Sequence, residues 1–188
     1  PVLPDQAERD LHNLHHLDLP SWCEPCNAAK AKEDPHYRKP FVGSELPLLE
    51  VDYLFFSRDG ILVEDESRLM TCIAGINRTT GQPLFQAVPR KGTNPFALKA
   101  LEHFVLQQCV PKVEPRTDGE NPITAVVKAL KAKMPERIKL SNSPIESHQS
   151  LGAAEGNNGF LASVFRAHLI ALQRKYPFAE ITVNSHLV

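Results

Sequence analysis

The chain has 188 residues, of which 42% are hydrophobic and 23% charged, a composition that is typical of globular proteins and excludes a disordered chain. Its formal net charge of -1 excludes a strongly basic nucleic-acid binder, because phosphate neutralisation normally needs many Lys and Arg on one face. The longest apolar runs are too short to span a membrane, and no signal peptide is recognisable, so we expect an intracellular protein without membrane contact.

The first predicted element is a helix from Asp5 to Leu17, which ends before Pro20 because proline breaks a helix. Leu11 and Leu14, with Leu17, recur at helical spacing. We therefore expect these leucines to form the apolar stripe of the helix.

Two pairs of metal-binding residue types lie in and after this helix. His12 and His16 are one turn apart, so both imidazoles lie on one face, and Cys23 and Cys26 follow as a Cys-x2-Cys pair. Two His and two Cys close a tetrahedral zinc site and leave no position open for substrate, which predicts structural zinc. His15 could replace His16, and the alternative for the whole unit is a solvated His-rich helix with a chance Cys pair.

The segment from Ala28 to Pro47 is polar, contains prolines and carries a basic tract, as is typical of a linker. We accordingly divide the chain into a zinc-binding module with its linker, residues 1–40, and a second domain, residues 41–188. The basic tract is either ordinary solvated charge or a segment that lies near phosphate.

An α/β fold is predicted for the second domain from the order of its elements. The predicted strands are Leu48–Phe56, Arg68–Ile76, Pro83–Val88, Lys112–Glu114 and Arg137–Leu140, and the predicted helices are Asn94–Gln108, Asn121–Met134 and one that reaches about Tyr176. The first three strands are joined by short loops, which indicates an antiparallel meander. The whole order predicts a mixed five-stranded sheet flanked by helices, and this matches the ribonuclease-H-like arrangement.

Three acidic residues are candidates for a second metal site. Asp52 lies within an apolar strand, Asp118 lies at a strand end before Gly119, and Glu155 follows a Gly-containing loop at the start of the last helix. Taken singly, each is ordinary: an exposed strand residue, a turn Asp and a first-turn Glu. Together they are hard oxygen ligands of the kind that Mg²⁺ prefers. Two such ions about 3.5–4 Å apart can activate the attacking oxygen and stabilise the leaving oxygen in phosphodiester chemistry.

These segments together resemble a known family. The resemblance is carried by Ser143-Pro144, the run from Gln149 to Glu155, Val51-Asp52-Tyr53, the run from Arg116 to Glu120, and the preceding His-x3-His-x6-Cys-x2-Cys unit. They resemble the catalytic core of the integrases of retroviruses and long-terminal-repeat (copia-like) retrotransposons, with its His-His-Cys-Cys zinc module. The gap between the His and Cys pairs is shorter here than in retroviral forms.

The resemblance implies a polynucleotidyl transferase in which Asp52, Asp118 and Glu155 bind Mg²⁺ or Mn²⁺, while His12, His16, Cys23 and Cys26 bind Zn²⁺. Such an enzyme trims a 3′ end with water and then joins the freed 3′-hydroxyl to target DNA. The implied partners are the DNA ends of the element, target DNA and further copies of the chain, with a nuclear location at the time of integration. The lack of an initiator Met at Pro1 favours a segment of a longer polyprotein without its C-terminal DNA-binding part.

Two other functions stay open. The first is a catalytically inactive or domesticated integrase-like module that keeps the fold and binds nucleic acid or protein. The second is a ribonuclease H proper, which is expected to use a further acid, and only Glu120 or Glu146 are loose candidates for it.

Overall fold

The computed structural model of the chain describes residues 4–29, 46–64, 70–140 and 152–185. Within them it is an α/β protein with one four-stranded mixed sheet and five helices. The helices are α1 (Gln6–His15), α2 (Glu24–Ala29), α3 (Pro95–Gln107), α4 (Asn121–Lys133) and α5 (Gly152–Lys175), and the strands are β1 (Leu48–Phe56), β2 (Met70–Asn77), β3 (Pro83–Val88) and β4 (Glu114–Arg116). None of these helices has both the length and the apolar character that a membrane crossing requires.

The chain divides into two compact units. The first contains the described residues within Pro1–Tyr37, Phe56–Leu69 and Gly159–Val188, and the second those within Arg38–Phe55 and Met70–Asn158. These units are groupings of residues in space. The division of the chain into residues 1–40 and 41–188 therefore stays a prediction.

In the second unit, the sheet has the strand order β3-β2-β1-β4. Strands β2 and β3 are antiparallel, and β1 pairs in parallel with β4 from Leu48–Glu114 to Glu50–Arg116. Strand β1 is an inner strand and is mainly buried along its length, which explains its almost continuous apolar sequence. The three neighbouring strands that the sequence predicts thus lie side by side, with β4 added on the other edge of β1.

The predicted fifth strand, Arg137–Leu140, is wrong for the described part of the chain, where the sheet has four strands. Val113 forms only an isolated parallel bridge with Ile138. The N–H groups of Arg137 and Ile138 both donate back to the Met134 carbonyl, at 3.1 and 3.2 Å. Val113 donates to the Arg137 carbonyl at 2.8 Å and accepts the Lys139 N–H at 2.9 Å, and the described pairing extends no further than this bridge.

Several predicted boundaries also shift. The second strand is predicted from Arg68 and is observed as β2, Met70–Asn77, while Arg68 lies outside the described residues. The fourth is displaced by two residues, from Lys112–Glu114 to β4, Glu114–Arg116. Most of the predicted basic linker also lies outside the described residues, and its first two residues, Ala28 and Ala29, belong to α2.

Alternation along β1 sends its side chains to opposite faces of the sheet. Leu49, Val51 and Tyr53 belong to the main hydrophobic core, together with buried residues of α3 and α4. Glu50 and Asp52 alternate with them and therefore point to the other face. Helix α3 begins as the sequence predicts, because the Asn94 side chain accepts the Ala97 N–H at 2.9 Å.

In the first unit, the predicted apolar stripe of α1 is wrong as a buried face. Leu11, Leu14 and Leu17 are 61%, 77% and 44% exposed, whereas His12 and His16 are buried. The helix is capped by Asp5 in a capping box and ends at His15, since His16 takes a left-handed conformation with φ 47°. The inward face is selected by the packing of the histidines rather than by hydrophobicity.

Gly75 allows β2 to approach β1 closely, and this leads to a stability prediction. A Cβ at this position would lie 2.9 Å from the backbone oxygen of Glu50, which is strand backbone and cannot move aside. We expect Gly75→Ala to lower the free energy of unfolding by about 1–3 kcal/mol.

The matched control is Gly156→Ala in α5. A Cβ there meets no atom within 4 Å, and replacing glycine inside a helix gains about 1 kcal/mol. The two variants are expected to shift the midpoint of urea unfolding in opposite directions. Equal urea midpoints for Gly75→Ala and Gly156→Ala would show that the close approach of β2 to β1 at Gly75 does not affect stability.

Candidate functional site

The four predicted zinc ligands of the first unit come together in one buried cluster. The ligand atoms of His12, His16, Cys23 and Cys26 all lie within 4.8 Å of one another. No disulfide joins the two cysteines. The cluster thus has two sulfur and two nitrogen donors, the set that is typical of structural zinc sites.

The distances within the cluster fit a tetrahedral ion of the size of zinc. The Cys26 Sγ atom lies 3.3 Å from both His12 Nε2 and His16 Nδ1, and Cys23 Sγ lies 3.5 Å from His16 Nδ1. With Zn–S near 2.3 Å and Zn–N near 2.0 Å, a tetrahedral site separates sulfur from nitrogen by about 3.5 Å. The donor atoms therefore already have the spacing of a zinc coordination shell.

The neighbourhood of the cluster keeps its imidazoles neutral. Burial, assisted by the nearby His168 and His12, lowers the pKa of His16 to about 4. Burial also lowers the pKa of His12, whose ring packs against Trp22 with centroids 4.7 Å apart. Neutral imidazole is the form that binds a metal.

The chain reverses between the two ligand pairs through strained backbone. His16, Asp18 and Leu19 all have positive φ, between 39° and 64°. Left-handed backbone at non-glycine residues costs on the order of 1 kcal/mol or more each and persists only where the surroundings enforce it. His15, the alternative ligand, lies outside the cluster, and its Nδ1 accepts the Leu17 N–H at 3.0 Å.

In the second unit, the charges of two of the three predicted acidic residues, Asp52 and Asp118, influence each other. Asp52, on β1, is half-buried, and its Oδ1 accepts the N–H of Tyr53 at 2.7 Å. Burial raises the pKa of the Asp52 carboxyl, and the negative charges of Asp118 and Glu120 raise it further. Asp118 follows β4, and its Oδ1 accepts the Glu120 N–H at 2.9 Å. Asp52 and Asp118 each lie two residues beyond the last paired residues of β1 and β4, Glu50 and Arg116.

Glu155 lies in the first turn of α5 and is exposed. Its carboxylate makes no hydrogen bond or ion pair with any residue that the structure describes. It stands three positions before Asn158, so the two side chains share a face of the helix. The backbone of Glu155 is therefore placed on the side of α5 that contacts Asp52, while its role as a third ligand stays a prediction.

Two residues of this site are absent from the sequence-based prediction. Asn158 donates from Nδ2 to Asp52 Oδ2 at 3.3 Å, and Glu50 accepts the backbone N–H of Ala154 at 2.8 Å. Neither belongs to a motif that sequence spacing alone would single out. The signal that was available for Glu50 is a second acid within the same apolar strand, two positions before Asp52.

The oxygen atoms around Asp52 are chemically compatible with a hydrated cation. The Asn158 Oδ1 atom is buried and has no hydrogen-bond partner among the described residues, although its amide nitrogen contacts Asp52. A buried acceptor without a partner, next to the Asp52 carboxylate, calls for a donor such as a water held by an ion. Mg²⁺ retains several waters when it binds one or two carboxylates, and the oxygen donors of Asp52 and Asp118 suit it.

Taken together, the described residues define an α/β protein with a buried His₂Cys₂ cluster that could hold a metal and, in the sheet, an Asp52 carboxyl that is influenced by the charge of Asp118. No family model matches the sequence, and no curated protein matches it.

Among solved structures, the chain is similar to one in the cryo-EM structure of the simian T-cell lymphotropic virus intasome in complex with the PP2A regulatory subunit B56 gamma. The TM-score is 0.53 at 18% sequence identity, so the likeness concerns the fold alone. The match covers 94% of this chain and 60% of that chain, which means that the present chain spans less than two thirds of its neighbour.

Proposed function

We propose that the chain is an integrase of a retroelement, which uses a ribonuclease-H-like core to trim 3′ ends of DNA and join them to target DNA. The observation that carries the proposal is the half-buried Asp52 carboxyl, which accepts a hydrogen bond from Asn158 and is influenced by the charge of Asp118. The buried His₂Cys₂ cluster and the likeness in fold to a chain of a retroviral intasome support it.

The proposed reaction requires metal-bound oxygen ligands rather than a protein nucleophile. When bound, Mg²⁺ or Mn²⁺ activates the attacking oxygen and stabilises the leaving oxygen of the phosphodiester. Asp52 and Asp118 would hold the ion from the sheet, and Glu155 would hold it from α5. Asn158 would help to orient the Asp52 carboxylate, because its amide N–H donates to Asp52 Oδ2.

The His₂Cys₂ cluster has a separate, structural role in this proposal. All four of its ligand positions are protein side chains, so a zinc ion there has no open position for substrate. The hydrophobic cluster around it contains only Cys23, Cys26, Ala29 and Ala167 as buried members. Because so small a core supplies little stability, zinc is expected to hold this part of the fold together. DNA ends, target DNA and further copies of the chain are the proposed partners, and the nucleus is the proposed site of integration.

A second candidate function is an inactive integrase-like binding module. The specific observation in its favour is the exposed Glu155 carboxylate, which has no hydrogen-bond or ion-pair partner in the described part of the chain. Such a module keeps the fold and the zinc cluster but does not bring the third acid to the metal.

Glu155→Gln distinguishes the two functions. Removal of one charged ligand is expected to lower Mg²⁺-dependent or Mn²⁺-dependent trimming and joining of a labelled duplex by about 10³-fold, equal to about 4 kcal/mol of transition-state stabilisation. Glu136→Gln is the matched control, since it makes the same change at an exposed acid after α4 and should keep full activity.

Equal activity of Glu155→Gln and the unchanged protein would remove Glu155 from the site. Absence of joining by the unchanged protein, both as this chain and within a longer chain that adds a DNA-binding part, would establish the inactive module instead.

A further inference from the structure

Glu50 is a fully buried carboxylate, with 0% of its surface exposed, and is the third residue of β1. It lies two residues before Asp52, so both side chains point to the same face of the sheet. Burying a charge destabilises the folded state unless the charge is paired. A leucine at this position of so apolar a strand would avoid that cost. The ligand set of the proposed function does not use Glu50.

The partners of Glu50 explain its presence. Its Oε2 atom accepts the N–H of Ala154 at 2.8 Å, and its Oε1 atom lies 3.0 Å from Arg78 Nη1 as an ion pair. Arg116 is its partner residue across the parallel β1–β4 pair. Glu50 therefore connects Arg78, the residue that follows β2, to the beginning of α5.

The contact with Ala154 replaces a helix cap. The first N–H groups of a helix have no partner within it, and a side chain at the preceding residue normally accepts one of them. The residue that precedes α5 in the sequence is Leu151, whose side chain has no acceptor. Glu50 supplies the oxygen from β1 instead, and its negative charge suits the positive end of the helix dipole.

Two further contacts fasten the same turns of α5 to the sheet. Asn157 donates to the Gly75 carbonyl at 3.0 Å, and Asn158 donates to Asp52. Glu155 directly follows Ala154, so the bond to Glu50 sets the position of the Glu155 backbone relative to Asp52. Of these contacts, the bond to Glu50 is the one that engages the backbone N–H of the residue next to Glu155.

We propose that Glu50 is a positioning residue that holds the first turn of α5, and with it Glu155, at the distance from Asp52 that metal binding requires. This inference rests on the proposed function of Asp52 and Glu155 as ligands of one metal site. Glu50 acts through Glu155 and itself contacts neither metal nor DNA.

Two substitutions separate its contributions. Glu50→Gln keeps an oxygen that can accept the Ala154 N–H, whereas Glu50→Leu has similar volume but no acceptor. Asn77→Ala is the control for general destabilisation. Asn77 is a buried polar residue of β2 in the same unit, and its side chain is bonded to Gln108 and to the turn that follows it rather than to α5.

The first measurement is amide hydrogen exchange of the full chain without divalent metal. We expect Glu50→Leu to speed exchange at Ala154 and Glu155 by at least about tenfold relative to the α3 amides, and Glu50→Gln to leave most of the protection intact. Asn77→Ala should not produce this local change. Exchange that accelerates uniformly in Glu50→Leu and Asn77→Ala alike would overturn the positioning role.

The second measurement is the affinity for Mn²⁺, followed by paramagnetic broadening of the Asp52 and Asn158 signals. Loss of a residue that orients a metal ligand weakens binding by about 10–100-fold, which is expected for Glu50→Leu and should be largely restored in Glu50→Gln. Unchanged Mn²⁺ affinity in Glu50→Leu, while Asp52→Asn abolishes binding, would overturn the inference and leave the proposed function standing. Unchanged Mn²⁺ affinity in Asp52→Asn would overturn the proposed function itself.

Discussion

Asp52→Asn is expected to abolish metal-dependent DNA joining while leaving the metal-free fold at least as stable as the original. The first effect follows because an amide is a much weaker ligand for Mg²⁺ than a carboxylate, and we expect a loss of about 10³-fold or more. The second follows because burial and the charges of Asp118 and Glu120 raise the pKa of Asp52, so its charged form is disfavoured by folding.

The contribution of Asp52 to the free energy of unfolding is expected to fall as the pH rises. Since the pKa of Asp52 is higher in the folded protein, the folded state binds more protons than the unfolded state between the two pKa values. The contribution of Asp52 to stability is therefore present below the unfolded pKa and is lost as the pH rises through the folded pKa. At neutral pH the substitution removes this penalty, and the free energy of unfolding should stay equal or rise.

Thermal unfolding with and without Mg²⁺ checks both parts of this prediction. The ion should raise the Tm of the original protein, because it binds the folded state, and should leave the Tm of Asp52→Asn unchanged. Asp59→Asn serves as the control, since Asp59 is an exposed Asp of the first unit. A Mg²⁺-dependent rise in the Tm of Asp52→Asn that matches that of the original protein would contradict a metal site at Asp52.

Cys26→Ser is expected to abolish zinc binding and to unfold the part of the first unit around the cluster. Cys26 is fully buried, and its sulfur lies 3.3 Å from a nitrogen of each histidine of the cluster. Structural zinc binding contributes about 10–16 kcal/mol in small zinc modules, so loss of one of four ligands removes far more than the small core around Cys26 can supply.

Mass spectrometry of the native protein measures the zinc content, and hydrogen exchange of α1 and α2 measures their order. The original chain should carry one zinc per molecule, and Cys26→Ser should carry none after dialysis, with α1 and α2 losing protection. Cys109→Ser is the matched control, because it makes the same chemical change at an exposed cysteine of the second unit. Full zinc content in Cys26→Ser would refute the zinc site.

Local spacing was sufficient to predict the His₂Cys₂ cluster. His12 and His16 are one helical turn apart and Cys23 and Cys26 are three residues apart, so each pair is brought together by its own short stretch of backbone. The structure adds the left-handed residues between the pairs, which turn the cysteines toward the histidines. It also selects His16 over His15, since only His16 lies inside the cluster.

Hydrophobic periodicity was misleading in the same helix. Leu11 and Leu14 have the spacing of a buried stripe, yet both are exposed. Periodicity shows that a helix has an apolar face but does not show what covers it. Here the histidine face is turned inward because its side chains contact Cys26 and Trp22.

The sequence alone determined the α/β class and whether each main element of the second unit is a helix or a strand. The signals for this are local, because the spacing of apolar residues and capping residues such as Asn94 act over a few positions of the chain. Whether Arg137–Leu140 joins the sheet depends on a partner strand, and the structure shows a single bridge. The buried position of Glu50 is explained by its hydrogen bond with Ala154, which is 104 residues further along the chain. A hydrogen bond of that separation leaves no trace in local pattern, so only the tertiary structure could place the buried carboxylate at the beginning of α5 and Asn158 beside Asp52.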